Sequence, residues 1–470
     1  MSQISKFDMA SKTIIGQCPE YSQADTENAI EAAATAFPAF KALTGRERAR
    51  LLRKWHQLMM DNVDDLAILL TLENGKTLAE AKGEIAFAAS FVEYYSEEAV
   101  RIYGDTIPAS IDGKKILTLK EPVGVCALIT PWNFPSAMIT RKAAPALAAG
   151  CTIVIKVPGE TPLSGLALAE LARQAGFPKG VINVITALKN TVEVGSTLTH
   201  SSLVQKVSFT GSTAVGKLLM KQAASTMKRV SFELGGNAPL IVFGDADIDK
   251  AVEEAIASKF RVSGQSCVCA NRLYLHESIH DEFVRKYAAV VRRFKVGSGL
   301  DSSVSQGPLI HERAAQKVDS HVRDAVEKGA KIVVGGNFVP SLGPTFYLPT
   351  ILTGMKANML LAQEETFGPV AGIFSFSSDQ EVVSFANESD VGLASYLFGK
   401  DISRIWRVAE ALQVGMVGIN TGIISDNAAP WTGVKQSGIG REGGKYGIEE
   451  YLATKTITLG GLGGHLKPRI

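Results

Sequence analysis

The side chains best suited to covalent chemistry in this sequence are the thiols of Cys267 and Cys269. They follow Gly264-Gln265-Ser266 and precede polar Asn271-Arg272. A thiol on such a glycine-hinged turn can aim its own backbone N–H at the atom its thiolate attacks. Cys-x-Cys offers a metal only two ligands, and no further His or Cys lies near at ligand spacing, so no metal site is expected. Cys126 and Cys151 sit inside apolar runs, as small buried hydrophobes do. Five sparse cysteines, Cys18 included, do not make a disulfide framework in a long chain.

Three more constellations carry chemical meaning. Phe232-Glu233-Leu234-Gly235-Gly236-Asn237 sets one carboxylate among apolar neighbours before a Gly-Gly turn. Burial there raises a carboxyl pKa toward that of a general base, although a satisfied structural Glu fits the same pattern. Pro131-Trp132-Asn133-Phe134-Pro135 fixes an amide between two prolines. Asn133 serves there either as a turn former or as a donor to a developing oxyanion. Gly211-Ser212-Thr213-Ala214-Val215-Gly216 follows a strand and opens a helix, where free N–H groups suit a pyrophosphate. It is not the dinucleotide fingerprint, because Thr213 stands at the middle glycine. Lys156, at a strand end, is placed either for a ribose hydroxyl or simply for solvent.

These residues need elements to hold them. The chain opens with helical patterns: Thr26–Ala36 behind an Asp25 cap, Arg46–Leu72 with one apolar stripe, and about Thr77–Ile102. Short apolar runs then alternate with helices. The strands are Val123–Thr130, Cys151–Lys156, Val181–Ile185, Val204–Phe209 and Ala238–Phe243; the helices are Ala137–Ala149 and Leu163–Ala175. After Glu233 a second alternating block runs through Arg272–His276, Asp281–Phe294, Ala314–Lys328, Lys331–Val334 and Gly415–Asn420. Repeated strand–helix–strand units predict doubly wound parallel sheets, with the chemistry between two α/β domains.

Composition excludes several classes. At 470 residues the chain is too long for one core. Lys plus Arg number 49 against 47 for Asp plus Glu, so no basic footprint for nucleic acid or an anionic membrane exists. No apolar run approaches the roughly 18 residues that span a bilayer. The opening MSQISKFDMASK has neither signal core nor transit character, and a cytoplasmic protein is the expectation.

Taken in order and spacing, the Asn133 motif, Phe209-Thr210-Gly211-Ser212, Glu233-Leu234-Gly235-Gly236, Gly264-Gln265-Ser266-Cys267 and Glu364-Glu365-Thr366-Phe367-Gly368-Pro369 resemble the aldehyde dehydrogenase superfamily from about residue 10 to 462. The resemblance implies an α/β fold of two doubly wound Rossmann-like domains, cofactor and catalytic, plus a small bridging β-sheet for oligomerisation. The cofactor domain would be 1–103 and 123–235, the catalytic domain 236–445, and the bridging segment 104–122 and 446–470. It further implies that Cys267 is the nucleophile, Glu233 the general base, and Asn133 with the Cys267 N–H the oxyanion hole. NAD or NADP would be held by Thr130, Trp132, Lys156, Gly159, Glu160, Gly211, Ser212, Glu365 and Phe367. The protein would be a homodimer or homotetramer acting on a small aldehyde.

Within that family the segments around Asn133–Lys142, Ser258–Arg261, Cys267–Arg272 and Val434–Gly438 look most like succinate-semialdehyde dehydrogenases. The resemblance makes Arg141, Arg261 and Ser425 a clamp for a distal carboxylate, and Cys269 a redox partner of Cys267. The chain departs at Ser425-Asp426-Asn427, at Pro430-Trp431-Thr432-Gly433, and at Lys156-Val157-Pro158-Gly159-Glu160, where Gly159 occupies the position that selects between NAD and NADP. Its first strands also look shortened. A related aldehyde dehydrogenase for another aliphatic or biosynthetic aldehyde is the rival reading. A non-enzymatic relative is disfavoured by the presence of Cys267, Glu233 and Asn133 together.

Overall fold

The computed structural model describes residues 3–463; the outermost residues of the expected 1–103 and 446–470 segments lie outside the described range. A hairpin of β1 (Gln3–Phe7) and β2 (Ile14–Pro19) opens the chain, so the first strands are present although few residues were available for them. Helices α1 (Gln23–Lys41), α2 (Gly45–Asp61), α3 (Val63–Asn74) and α4 (Leu78–Glu98) follow. Their boundaries differ from expectation for clear reasons. Ser22, not Asp25, caps α1, and Asp25 answers from the third helical position in a reciprocal capping box. Pro38 is tolerated near the end of α1, where one missing N–H removes a single bond. The stretch expected as one helix breaks at Asn62, whose side chain donates to Leu58 O at 2.8 Å.

A ribbon of β3 (Thr106–Ile107) and β4 (Lys115–Pro122) leads into the first α/β block. This block contains β5 (Val125–Ile129), α5 (Pro135–Ala149), β6 (Thr152–Val157), α6 (Pro162–Ala175), β7 (Ile182–Thr186), α7 (Thr191–His200), β8 (Val204–Thr210), α8 (Thr213–Ala223) and β9 (Arg229–Glu233). The strand order is β7-β6-β5-β8-β9, all parallel, with Gly438–Ile439 added antiparallel on the far edge of β9. Order therefore reverses between β5 and β8. Ligands bind at the carboxyl ends of such switch strands, and those ends here are Thr130–Asn133 and Gly211–Ser212.

The second block begins with β10 (Pro239–Val242), α9 (Ile248–Phe260), β11 (Arg272–His276), α10 (His280–Val291) and α11 (Glu312–Glu327). Its seven strands are parallel but for the edge strand Lys331–Val334. Buried Leu, Ile, Val and Ala fill the strands of both sheets, as sheets covered on both faces require. A third, antiparallel sheet joins β3, β4 and the C-terminal strand Leu452–Leu459. Among the described residues no helix is long and apolar enough to cross a membrane.

Candidate active site

Several segments converge on one cavity of about 880 Å³, and two of them bring Asn133 and Cys267 to its wall. The first leaves β5. Pro135 occupies the first turn of α5, which fixes the approach of Trp132-Asn133-Phe134. Asn133 is buried, and its Nδ2 donates to Gln265 O at 3.0 Å. An amide nitrogen carries two hydrogens, so one remains for the cavity.

The second segment leaves α9. Val262 and Ser263 have φ of 50° and 55°, and Gly264 has φ of 72°. Three successive left-handed residues, one of them β-branched, are rare and persist only where neighbours over-determine them. The neighbours are on hand: Ser263 Oγ donates to Gly307 O at 2.8 Å, and Gln265 ties Val262 O to Ile310 N. Position 264 must be glycine, since a Cβ would lie 2.1 Å from Gly368 O. Cys267 emerges half-buried on the cavity wall. Burial pushes its thiol up to about 12 against the pull of Arg141, so the resting group is a neutral thiol. Cys269 is buried, with its Sγ 3.2 Å from Gly264 O and 3.7 Å from Lys259 Nζ.

Glu233 ends β9. It is 2% exposed, and neither carboxylate oxygen has a hydrogen-bond partner. Burial first, and the nearby Glu442 second, raise its pKa well above the ordinary value, while Arg141 and Lys142 oppose them. Leu234 and Gly235 line the cavity and Glu233 does not, so its carboxyl stands just behind the wall. Glu442 is a residue the sequence reading missed. It accepts from Arg141 Nε at 2.6 Å, from Lys142 Nζ and from Ser208 Oγ at 3.2 Å. Burial acts to raise Glu442, but Lys142 and Arg141 outweigh it and hold the pKa below the ordinary value.

Of the residues expected around a cofactor, Trp132, Gly211, Ser212, Glu365 and Phe367 line this cavity. Trp132 and Phe367 meet edge to face at 5.5 Å, with Phe367 held at φ of 56°. Glu365 accepts Gly236 N at 3.1 Å, and burial pushes its carboxyl up to about 7. Lys317, also missed from sequence, lines the cavity and donates to Glu365 O at 2.5 Å. Ser212 Oγ caps α8 by accepting Val215 N, and the buried hydroxyl of Thr210, two residues earlier, lacks a partner. Thr130, Lys156, Gly159 and Glu160 form a separate corner at the ends of β5 and β6. Burial lowers the Lys156 pKa there, against Glu160 and Glu20. Apolar Leu188, Val215 and Leu218 stay exposed on this side. An unpartnered hydroxyl, an open helix N-terminus, a strand-end lysine and exposed apolar side chains fit a dinucleotide. Among the described residues no group of three or more His, Cys, Asp or Glu could hold a metal.

The far wall is cationic. Arg141 is 1% exposed, and with Nε on Glu442 both of its Nη atoms are buried without partners. Its guanidinium lies 4.6 Å over the Trp431 ring, and Arg261 lies 5.5 Å over the Phe134 ring. Arg141, Arg261, Ser425 and Trp431 all line the cavity. Asp426 is not among the lining residues; its carboxylate accepts Ala428 N at 2.8 Å within its own loop. Phe134 and Trp431 lie in segments the sequence singled out, but their stacking on arginines was not legible there, and Glu442 carried no signal beyond its charge because its partners are distant in the chain.

Comparison with known proteins follows this geometry. Residues 1–457 match the model of the aldehyde dehydrogenase family. The chain is similar to the glutarate-semialdehyde dehydrogenase of Pseudomonas aeruginosa, at 56% identity over 96% of this chain and 93% of the relative. It is also similar to the NADP(+) succinate-semialdehyde dehydrogenase of Escherichia coli, at 55% identity over 95% of this chain and 92% of the relative. The crystal structure of succinate-semialdehyde dehydrogenase from Burkholderia pseudomallei superimposes with a TM-score of 0.96 at 53% identity, covering 98% of this chain and 95% of that one.

Proposed function

This chain belongs to the aldehyde dehydrogenase family, and from that premise we propose that it oxidises a short semialdehyde, succinate semialdehyde foremost, to the dicarboxylate with NAD or NADP. The observation that carries the substrate is the pair of buried, unpartnered Arg141 Nη atoms in the wall of the cavity that also holds Cys267. Each buried donor left without an acceptor costs about 1–3 kcal/mol, and a substrate carboxylate supplies that acceptor bidentately. Arg261 and Ser425 complete the grip.

The chain's own groups divide the chemistry. The Cys267 thiol loses its proton to solvent in the cavity, Arg141 being the charge that favours the thiolate, and the thiolate attacks the aldehyde carbon. The oxyanion of the resulting thiohemiacetal is held by the spare hydrogen of Asn133 Nδ2 and by the Cys267 backbone N–H. When bound, the nicotinamide would supply the hydride acceptor, and Trp132, Phe367, Glu365 and Lys317 would hold that half of the cofactor. In its ionised form Glu233 then takes a proton from the water that attacks the thioester and returns it to the departing Cys267 sulfur, releasing the acid and the free thiol. Ser212 and the α8 N-terminus would hold the pyrophosphate, and Lys156 with the Thr130 and Gly159–Glu160 corner the adenosine ribose.

We also assign residues 1–103 with 123–235 to cofactor binding, 236–445 to catalysis and 104–122 with 446–470 to bridging between subunits. Exposed Ile107, Leu119, Ile457 and Leu459 on the third sheet support a homodimer or homotetramer. Five free cysteines fit the reducing cytoplasm.

Reduced cofactor formation across aldehydes with and without a distal carboxylate tests the reading. Carboxylated substrates should lead in kcat/KM, and Cys267→Ala should abolish turnover while cofactor still binds. Neutral aldehydes leading the panel would instead favour a biosynthetic aldehyde, with Trp431 as part of an apolar seat.

A further inference from the structure

The two donors proposed for the oxyanion come from different α/β blocks, Asn133 after β5 and Cys267 after α9; the bond from Asn133 Nδ2 to Gln265 O joins their loops directly, and each loop is also held from outside. Helix α4 touches each. Glu80 Oε1 accepts Val262 N at 2.6 Å, the first amide of the left-handed turn, while Oε2 accepts the N and Oγ of Thr77 at 2.9 and 2.8 Å. One turn later, Glu84 Oε1 accepts Ser136 N at 2.9 Å and Ala137 N at 3.3 Å. Phe134 gives α5 no side-chain cap, so Glu84 supplies it from a neighbouring helix. Glu84 Oε2 pairs with Lys76, whose Nζ donates to Asn133 O at 2.7 Å and lies 4.3 Å from the Phe134 ring centre. Asn74 Nδ2 adds a bond to Trp132 O at 2.9 Å. Lys76 and Glu84 are 2% and 3% exposed.

We propose that Glu80 and Glu84, with Lys76, are positioning residues that set the oxyanion hole: Glu80 fixes the nucleophile turn, and Glu84 with Lys76 fixes the Asn133 turn. Both glutamates border the cavity, yet all four of their carboxylate oxygens are committed to backbone, to Thr77 or to Lys76. They therefore act through the loops and not on the substrate. Their i, i+4 spacing on α4 puts both carboxylates on one face. A buried ion pair suits this use, because its worth lies in fixed geometry more than in stability.

The inference rests on the roles given above to Cys267 and Asn133, and two rates measured on the cofactor-bound full chain separate the two claims. One is the burst of reduced cofactor, which reports hydride transfer and needs the oxyanion hole. The other is alkylation of Cys267 by iodoacetamide, which needs the thiolate in place but makes no oxyanion. Wild-type turnover that survives full alkylation of Cys267 would remove the nucleophile assignment and the brace with it. Lys76→Met and Glu84→Gln should slow the burst by about tenfold or more while alkylation and cofactor affinity stay within about threefold. Glu80→Ala should change the alkylation rate by about tenfold, with Glu80→Gln recovering part of it through its remaining acceptor oxygen. If Lys76→Met does not fold, Asn74→Ala carries the test, with a smaller selective loss of the burst. A burst within about threefold of wild type, or burst and alkylation falling together in Lys76→Met, overturns the proposal and leaves the brace a part of general stability.

Discussion

The two ends of the cavity treat charge differently. At the Cys267 end, burial pushes Cys267 up to about 12 and Glu233 well above its ordinary value, so the charged form of each is disfavoured. At the distal wall Arg141 is as buried as Glu233, but a guanidinium does not give up its proton in a protein. Its charge is permanent and its two Nη atoms wait for an acceptor. Glu442 pairs with both Arg141 and Lys142 and adds to the upward shift at Glu233. The same low dielectric thus suppresses charge where it must change during turnover and preserves it where it must not. Rate and selectivity should therefore separate by mutation.

The largest break is at Glu233. Glu233→Gln should slow steady-state turnover of every aldehyde by about two to four orders of magnitude, with a burst of reduced cofactor surviving ahead of it. A normal steady state would move the base elsewhere. Its raised pKa also fixes a sign. The folded protein holds this proton more tightly than the unfolded chain, so stability is fullest below the ordinary carboxylate range and declines as pH rises toward the folded value. Glu233→Gln should flatten that decline in melting curves across pH, while wild-type deacylation climbs over the same range.

Oxidation probes the catalytic end alone. Peroxide should convert Cys267 to a sulfenic acid, which Cys269 resolves as a disulfide with loss of water. Wild-type activity should then be lost and fully restored by dithiothreitol, whereas Cys269→Ala should lose activity irreversibly. Cys269 is buried against Gly264 O, so the strained turn must relax for the bridge to form, and the bridge should be readily reduced. Equal recovery in both proteins would show that no such bridge forms.

The distal wall gives smaller and selective losses. Arg141→Ala and Arg261→Ala should each raise KM for the carboxylated aldehyde by one to two orders of magnitude, or about 1.5–3 kcal/mol for a charge-assisted bond. A neutral aldehyde of similar length should barely respond to Arg261→Ala. Arg141→Ala also leaves Glu442 short of one partner, so a modest fall in kcat for both substrates is expected there. Equal KM losses for both aldehydes would make the arginines structural and take the semialdehyde with them.

Much of this was legible because the motifs are local. Asn133, Glu233, Cys267 and Glu365 each sit in a short signature with its own prolines or glycines, and the alternation of strands and helices carried the two parallel sheets. What stayed hidden depends on contacts across the chain. Lys142 and Glu442 are 300 residues apart, and only folding shows their bond. The left-handed backbone at Val262 and Ser263 was invisible, because neither residue type favours it and its supports lie on other elements. The helix break at Asn62 was missed for the opposite reason: the apolar stripe continues across it.

The smallest effect concerns the cofactor corner. Gly159 offers no carboxylate to repel a 2′-phosphate, and the structure shows why a side chain is missing. A Cβ there would lie 2.7 Å from Leu188 Cδ1 and 2.8 Å from both Ala187 O and Leu188 Cα, and Lys6 Nζ already donates to Gly159 O at 3.0 Å. Backbone packs on this position, so Gly159→Glu should lower stability and not simply confer a preference for NAD. A source of negative charge beside it in the chain is Glu160, which acts on both Lys156 and Lys6. Both NAD and NADP should then be used, with Glu160→Gln shifting the ratio of their kcat/KM values toward NADP by less than about tenfold, as a partly exposed and screened charge allows. Parallel titrations at low and moderate salt check this, since added salt should shrink the shift. A preference for NAD of about a hundredfold or more in the wild type, worth about 2.7 kcal/mol, would mean that another group excludes the phosphate and that Gly159 is not the selector here.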